Sequence, residues 1–282
     1  MAVVDYKLLA VDLDGTLLDP MGVPHEADVR ALQALAARGV AVTIVTGRLY
    51  SGTRPSAEIV GIRGPVGCVD GSQLVSTETH RTLFHHGFHG ENATKLRDAM
   101  AASGAALFLF AQDQVVHDHQ GTPYLDYVST WSTAILPTRS VTKHAYWADD
   151  EGVTALVAVG TAAQIHDAVI SIQSALGAAA QVASFPTRRM ENTWGMVVRA
   201  AGGNKGSALR WLAAHHGVRV EETVCVGDWL NDLPMFEVAG RSFAMGQAPD
   251  ALKSAATDRL EETGEGGGGV ARAVHLAFGW KG

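Results

Sequence analysis

Lys7-Leu-Leu-Ala-Val-Asp-Leu-Asp-Gly-Thr16 is an apolar run that stops abruptly on acidic residues. Lys7–Asp12 has the length and composition of a strand buried on both faces, which needs no alternation of polar and apolar positions. The stretch that ends it, Asp12-Leu-Asp14-Gly-Thr16, is polar or turn-forming except for Leu13. The same construction recurs along the chain. Val40–Thr46 runs into Thr46-Gly-Arg48, Gly64–Val69 into Asp70-Gly71, and Glu222–Val226 into Gly227-Asp-Trp-Leu-Asn-Asp232. Helical patterns lie between these strands. Pro24–Arg38 carries Val29, Leu32, Leu35 and Ala36 at helical spacing and is closed by Gly39. A short helix is expected after Arg54-Pro55, and another over Lys205–His216, closed by Gly217. Strand, crossover helix and strand in succession predict an α/β fold with a doubly wound parallel sheet.

The middle of the chain reads differently. Asn92–Ser103 is helical, and Ala105–Val116 reads as a hairpin with Gln112-Asp-Gln114 at its tip. Gly152–Val159 is a strand, Ala162–Leu176 an amphipathic helix and Gln181–Pro186 a further strand. These pieces predict an inserted α+β lobe with an open sheet, so the expected organisation is a core from 1–83 and 192–282 interrupted by an insert over 84–191. After the insert, Met235–Ala239 is expected helical and Arg241–Met245 a strand. Pro249–Ala256 reads as a helix with proline in its first turn. Gly266–Gly269 reads as a loop feeding a terminal helix, because it lacks the Lys-Ser/Thr of a phosphate-cradling P-loop.

Composition narrows the possible partners. The chain has 282 residues, 29 acidic against 22 basic side chains, and a formal charge of −7, so no broad cationic field exists for nucleic acid. The longest apolar stretches, such as Val153–Gly160, have strand length and fall short of a membrane span. Met1-Ala-Val-Val-Asp-Tyr-Lys7 lacks the basic region and long apolar core of a secretion signal. Cys68 and Cys225, the two cysteines, sit in apolar strand-like runs and read as buried thiols. These features predict a cytoplasmic protein without membrane or nucleic-acid partners.

The strand-end residues form a coherent chemical set. In open α/β sheets ligands bind at the C-terminal edge of the strands, and there the sequence places Asp12, Asp14, Thr46, Asp228, Asn231 and Asp232, with Lys205 at the start of a helix. Four clustered carboxylates repel one another unless a cation sits among them. Oxygen-only ligands without Cys or His point to a hard ion such as Mg²⁺. A lysine and a threonine beside that ion suit a phosphate. A carboxylate next to the metal can attack phosphorus, and a second carboxylate two residues later can exchange protons with the leaving group and with water.

Taken together, Asp12-Leu-Asp-Gly-Thr-Leu-Leu18, Thr46-Gly-Arg48, Asn204-Lys205-Gly206 and Gly227-Asp-Trp-Leu-Asn-Asp232 resemble the four ordered motifs of the haloacid dehalogenase superfamily of phosphoryl-transfer enzymes. The arrangement is most similar to the Cof-type subfamily, which carries an α/β cap between the second and third motifs. The resemblance implies a Rossmann-like core and a Mg²⁺-dependent phosphatase acting on a small phosphorylated metabolite, a sugar phosphate first, through an aspartyl-phosphate. It implies Asp12 as nucleophile and Asp14 as general acid/base, with Asp14 also ligating the metal through its backbone carbonyl. Thr46, Gly47, Arg48, Lys205 and Asn231 would contact phosphate or substrate. Asp12, Asp14, Asp228 and Asp232 would form the metal site, with Asp232 acting directly or through water. Asp70 and Gln247 stand where such proteins often carry Asn.

Other features read more plainly. Arg48 could contact substrate or simply pair with an acid. His85, His86 and His89, and His117-Asp-His119, could each bind a metal but read first as solvated turns. Tyr124, Tyr127 and Trp131 could line a substrate pocket but read first as packing residues. A phosphomutase on the same core is a second reading. A phosphate-accepting signalling module is a third, disfavoured because a receiver domain is a single small domain without a carboxylate placed like Asp14. The expected assembly is a monomer or small homo-oligomer.

Overall fold

The structure is a computed structural model that describes residues 5–187 and 190–279, so the reading of Met1–Val4 lies outside the described residues. The chain forms two compact units. One comprises residues up to Gly47, Thr53–Phe84 and Asn204 onward; the other comprises Arg48–Gly52 and His85–Gly203.

Up to the insert the chain forms β1 (Leu8–Val11), α1 (Glu26–Ala37), β2 (Ala41–Ile44), α2 (Tyr50–Val60), β3 (Pro65–Cys68), β4 (Gln73–Ser76) and β5 (Thr82–His85). The insert then supplies α3 (Gly90–Met100), β6 (Ala106–Ala111), β7 (Gln114–His117), α4 (Leu125–Val128), β8 (Ile135–Pro137), β9 (Ala155–Gly160), α5 (Ala162–Leu176), β10 (Ala180–Pro186) and β11 (Trp194–Ala200). The return adds α6 (Lys205–His215), β12 (Thr223–Gly227), α7 (Leu233–Phe236), β13 (Arg241–Ala244), α8 (Asp250–Ala255), β14 (Asp258–Arg259) and α9 (Gly269–Phe278).

The core sheet runs β14-β13-β12-β1-β2, all parallel. A parallel bridge between Val45 and Gly67 continues it to β3, which folds back antiparallel onto β4. β1 is fully buried, as its unbroken apolar sequence requires. Each such Leu or Val side chain contributes roughly 1.5–3 kcal/mol on burial. Leu8 and Ala10 pack with Leu209, Met235 and Leu252 from α6, α7 and α8. On the opposite side α1 and α9 pack together and meet β2 and β12 respectively. The chain leaves β1 toward β2 on one side and returns to β12 on the other. The β1/β12 junction is therefore the topological switch point where such sheets open a crevice.

The inserted sheet has the order β10-β11-β9-β6-β7-β8 and is antiparallel except for the β7/β8 pair. Leu107, Leu109, Leu156, Ala158, Met196 and Val198 form one hydrophobic core with Leu96, Ile165 and Ile172 from α3 and α5. Thr161 and Gln164 close the start of α5 with a reciprocal capping box.

Three expectations change. The expected end of the insert at 191 falls inside the second unit, because β11 pairs on one side with β10 and on the other with β9. A seven-residue strand with two partners belongs to their sheet, so the core resumes at Asn204. The helix expected after Pro55 begins earlier, at Tyr50. Proline removes the N–H that would bond Ser51 four residues back, and the Ser51 carbonyl instead accepts from Thr133 Oγ1 at 3.2 Å. Finally, the sequence pattern predicts no strand at β4, β5, β8, β11 or β14.

Candidate active site

Asp12 lies one residue beyond β1 and Asp228 one residue beyond β12, on the two sides of the switch point. The Asp12 N–H donates to the Val226 carbonyl at 3.0 Å, which fixes the loop to the sheet edge. Gly15 turns this loop with φ +79°, and a Cβ there would lie 2.4 Å from Asp228 Oδ2. Only glycine permits both the left-handed turn and this approach. Asp14 is exposed, whereas the Thr16 side chain is completely buried.

Lys205 opens α6 behind the N-cap Asn204, whose side chain and that of Ser207 satisfy each other's backbone N–H groups. Its side chain is fully buried, and Nζ reaches Asp12 Oδ1 at 2.7 Å and Asp232 Oδ1 at 2.6 Å. The second Asp232 oxygen accepts the backbone N–H groups of Asp228 and Trp229 at 2.9 and 3.0 Å. Asp232 thus ties the β12 loop and aims the ammonium at Asp12. Burial alone would lower the Lys205 pKa, but the charges of Asp12, Asp232 and Asp70 outweigh it and hold it protonated. Burial pushes the Asp12 carboxyl well above its ordinary range; Asp232 and Asp228 push the same way, and Lys205 opposes them.

This imbalance is the signature of a site short of positive charge. Among the described residues Asp12, Asp228 and Asp232 are buried and each offers an oxygen within 4.8 Å of the others, against one ammonium. An all-oxygen donor set of this kind fits a hard divalent cation, and the space left by the absent Gly15 Cβ lies against Asp228. Asp232 is the member whose two oxygens are already bonded.

The remaining groups extend the same edge. Thr46 is fully buried after β2; its N–H donates to Gly67 O at 2.9 Å and its carbonyl accepts from Asp70 N at 2.8 Å. Asn231 Nδ2 donates to Asp70 Oδ1 at 2.8 Å. A Cβ on Gly47 would lie 3.5 Å from that same Asp70 oxygen. Arg48 falls in the second unit, where Nη1 donates to Gly52 O at 3.4 Å. Sequence reasoning passed over the role of Gln247. Its Nε2 donates to Gly15 O at 2.6 Å and to Asp228 Oδ2 at 3.2 Å, and its Oε1 accepts from Gly264 N at 3.2 Å. The signal available was its position just past β13, on the same sheet edge as the other loops.

His85 bonds Thr154 Oγ1 at 3.0 Å and His86 the Ala201 carbonyl at 2.6 Å. His117 Nδ1 pairs with the Asp118 carbonyl at 2.9 Å. Trp131 packs edge-on against Phe110 and Tyr127. Cys68 and Cys225 are buried free thiols.

At the switch point, then, a buried lysine is shared by two aspartates, with a third at the adjoining strand end. Residues 9–274 match the haloacid dehalogenase-like hydrolases, and the chain belongs to that family. It is 28% identical over 253 residues to pyridoxal phosphate phosphatase YbhA of Escherichia coli (strain K12), covering 89% of this chain and 91% of that protein. It is 26% identical over 258 residues to an HMP-PP phosphatase of Cronobacter sakazakii, covering 87% and 86%. A haloacid dehalogenase-like hydrolase from Bacteroides thetaiotaomicron superposes with a TM-score of 0.82 at 22% identity, covering 96% of this chain and 99% of that one. Among the described residues no helix is long and apolar enough to cross a membrane.

Proposed function

We propose that this hydrolase is a Mg²⁺-dependent phosphatase of small phosphorylated metabolites, working through an aspartyl-phosphate on Asp12. The observation that carries this reading is the buried Lys205–Asp12 pair beside Asp228 at the switch point. Asp12 and Asp228, with the Asp14 backbone carbonyl, would hold the cation, and Asp232 would act from behind them. When bound, Mg²⁺ supplies charge neutralisation for the phosphoryl oxygens.

In the first step an Asp12 oxygen forms a bond to phosphorus as the bond to the leaving oxygen breaks, and Asp14 gives that oxygen a proton. In the second step water attacks the same phosphorus, Asp14 takes its proton, and the phosphorus–Asp12 bond breaks to release inorganic phosphate. Lys205 opposes the rise that burial imposes on the Asp12 pKa and orients the carboxylate, and with Thr46 and the amides around Gly47 it holds the phosphoryl oxygens. Arg48 would contact the substrate, and the insert would set which substrate is taken. Sugar phosphates are the first candidates. The names of the relatives add pyridoxal phosphate to the panel. We place the enzyme in the cytoplasm.

The test is phosphate release across a metabolite panel, with Mg²⁺ or with EDTA, for wild type and Asp12→Asn. Wild type should release phosphate at least about 10³ times faster than Asp12→Asn, and EDTA should abolish the difference. Equal rates on every compound would sink the proposal.

A further inference from the structure

The end of β3 is built unlike the other strand ends. Val69 (φ 48°), Asp70 (φ 51°) and Gly71 (φ 90°) follow one another in the left-handed region. A β-branched residue there is a genuine outlier, so the surrounding contacts must enforce the turn. They do so from two sides. The Asp70 N–H is held by the Thr46 carbonyl at 2.8 Å, and a Cβ on Gly71 would fall 2.4 Å from the Asn204 carbonyl at the start of α6. The turn delivers the Asp70 carboxylate between the Gly47 loop and Asn231.

The chemistry of that pairing has one solution. A carboxylate only accepts hydrogen bonds, so the Asn231 amide must turn its nitrogen toward Asp70, and its oxygen is committed to the other side. An amide at position 70 would impose no such choice, because it both donates and accepts. The backbone of Asn231 is equally fixed. It sits in the turn Leu230–Asp232, anchored by the Asp232 carboxylate on the N–H groups of Asp228 and Trp229. The outcome is an acceptor without a donor: Asn231 Oδ1 is buried and has no hydrogen-bond partner. A buried acceptor left in this state costs stability until something donates to it.

We propose that the Asp70–Asn231 pair makes the site selective for phosphate esters that carry a hydroxyl or N–H donor close to the phosphoryl group, received by Asn231 Oδ1. This rests on the phosphatase reading and adds the substrate class to it. Asp70 acts here as a positioning residue: it works through the orientation of Asn231. The group it selects for is neutral and distinct from the phosphate, so the preference adds to phosphate recognition without altering its charge requirement.

The experiment uses the full chain with Mg²⁺ and p-nitrophenyl phosphate as a reporter that carries no such donor. Two phosphonates of equal charge, 2-hydroxypropylphosphonate and propylphosphonate, are compared as inhibitors. For wild type the hydroxylated compound should bind roughly 10- to 100-fold more tightly. Asn231→Ala should bring the ratio close to one. Asp70→Asn, nearly isosteric, should reduce it several-fold. Taking the ratio within each variant removes any change in its overall activity. A wild-type ratio near one, as when a water serves the acceptor, overturns the proposal. So does a ratio that both substitutions leave intact. Failure of the phosphatase reading is distinguishable, because wild type would then not hydrolyse the reporter at all.

Discussion

Both units bury many apolar side chains and some hydroxyls, but they differ in buried charge. Among the described residues the buried carboxylates and the buried ammonium, namely Asp12, Asp28, Asp228, Asp232 and Lys205, all belong to the core. Among the described residues the insert buries His117, Ser132, Thr154 and Thr187 as polar residues and no carboxylate, lysine or arginine. Charge is expensive to bury unless it is paired and bonded. A unit that concentrates it at the edge of one sheet is trading stability for chemistry, and a unit that avoids it is organised by packing. The difference teaches where substitutions act through charge and where through volume.

Lys205→Met is the severest way to break this comparison. Methionine is apolar and of similar length, so the packing around α6 is largely kept while Asp12 and Asp232 lose their shared cation. Stability at neutral pH should fall by about 3–5 kcal/mol, measured by denaturant unfolding, and phosphate release should be lost with it. An unchanged unfolding midpoint would show that the core tolerates its carboxylates unpaired. Leu156→Ala is the counterpart in the insert, where the side chain is fully buried between β9 and the two helices. Deleting it should cost about 2–5 kcal/mol through lost transfer energy and the cavity left behind. Ile at position 156 should recover most of that loss, since the site asks for volume and not for a particular group.

The same contrast explains what could be read in the amino-acid order. Parallel strands buried on both faces are continuous apolar runs, so β1, β2, β3 and β12 and the polar residues ending them were legible, as were Asp12, Asp228 and Lys205. The insert was legible where it is helical or hairpin-like, since the capping pair Thr161 and Gln164 and the Gln112-Asp113 tip are local signals. β11 was not legible as part of the insert, because its place depends on pairing with β9, more than thirty residues earlier in the chain. The roles of Asp70 and Gln247 were hidden for the same reason. Each is set by a partner from a distant loop, Asn231 in one case and Gly15 with Asp228 in the other.

Asp28 tests a buried core charge that serves structure and not the site. It lies in α1 but accepts from Gly268 N at 3.0 Å and Ala271 N at 2.7 Å, closing the first turn of α9 from another helix. Asp28→Ala should lower stability by about 1–2 kcal/mol, in the range of a lost N-cap. Asp28→Asn should retain part of this, because one amide oxygen can still accept. Calorimetric or denaturant unfolding of the two variants checks the order.

A partly covered carboxylate paired with two exposed cations provides the smallest effect and the reference for the others. Glu222, at the start of β12, accepts from Lys7 Nζ at 2.9 Å and from Arg219 Nε at 3.2 Å. The hydrogen bonds from Arg219 and then Lys7 hold its pKa down to about 2, from an ordinary 4.5. A carboxylate depressed in the folded state contributes stability that is fully present above its unfolded pKa and is lost as pH falls through the folded one. The contribution should therefore be constant near neutral pH, shrink below about pH 4.5 and vanish near pH 2. Its size is small, as for other exposed pairs, and it weakens with salt. Unfolding midpoints of wild type and Glu222→Gln, compared across that range at low and high salt, should converge toward the acid end and draw closer in salt. A gap independent of both would mean that Glu222 acts through packing, and the division between charge in solvent and charge in the core would have to be redrawn at this strand.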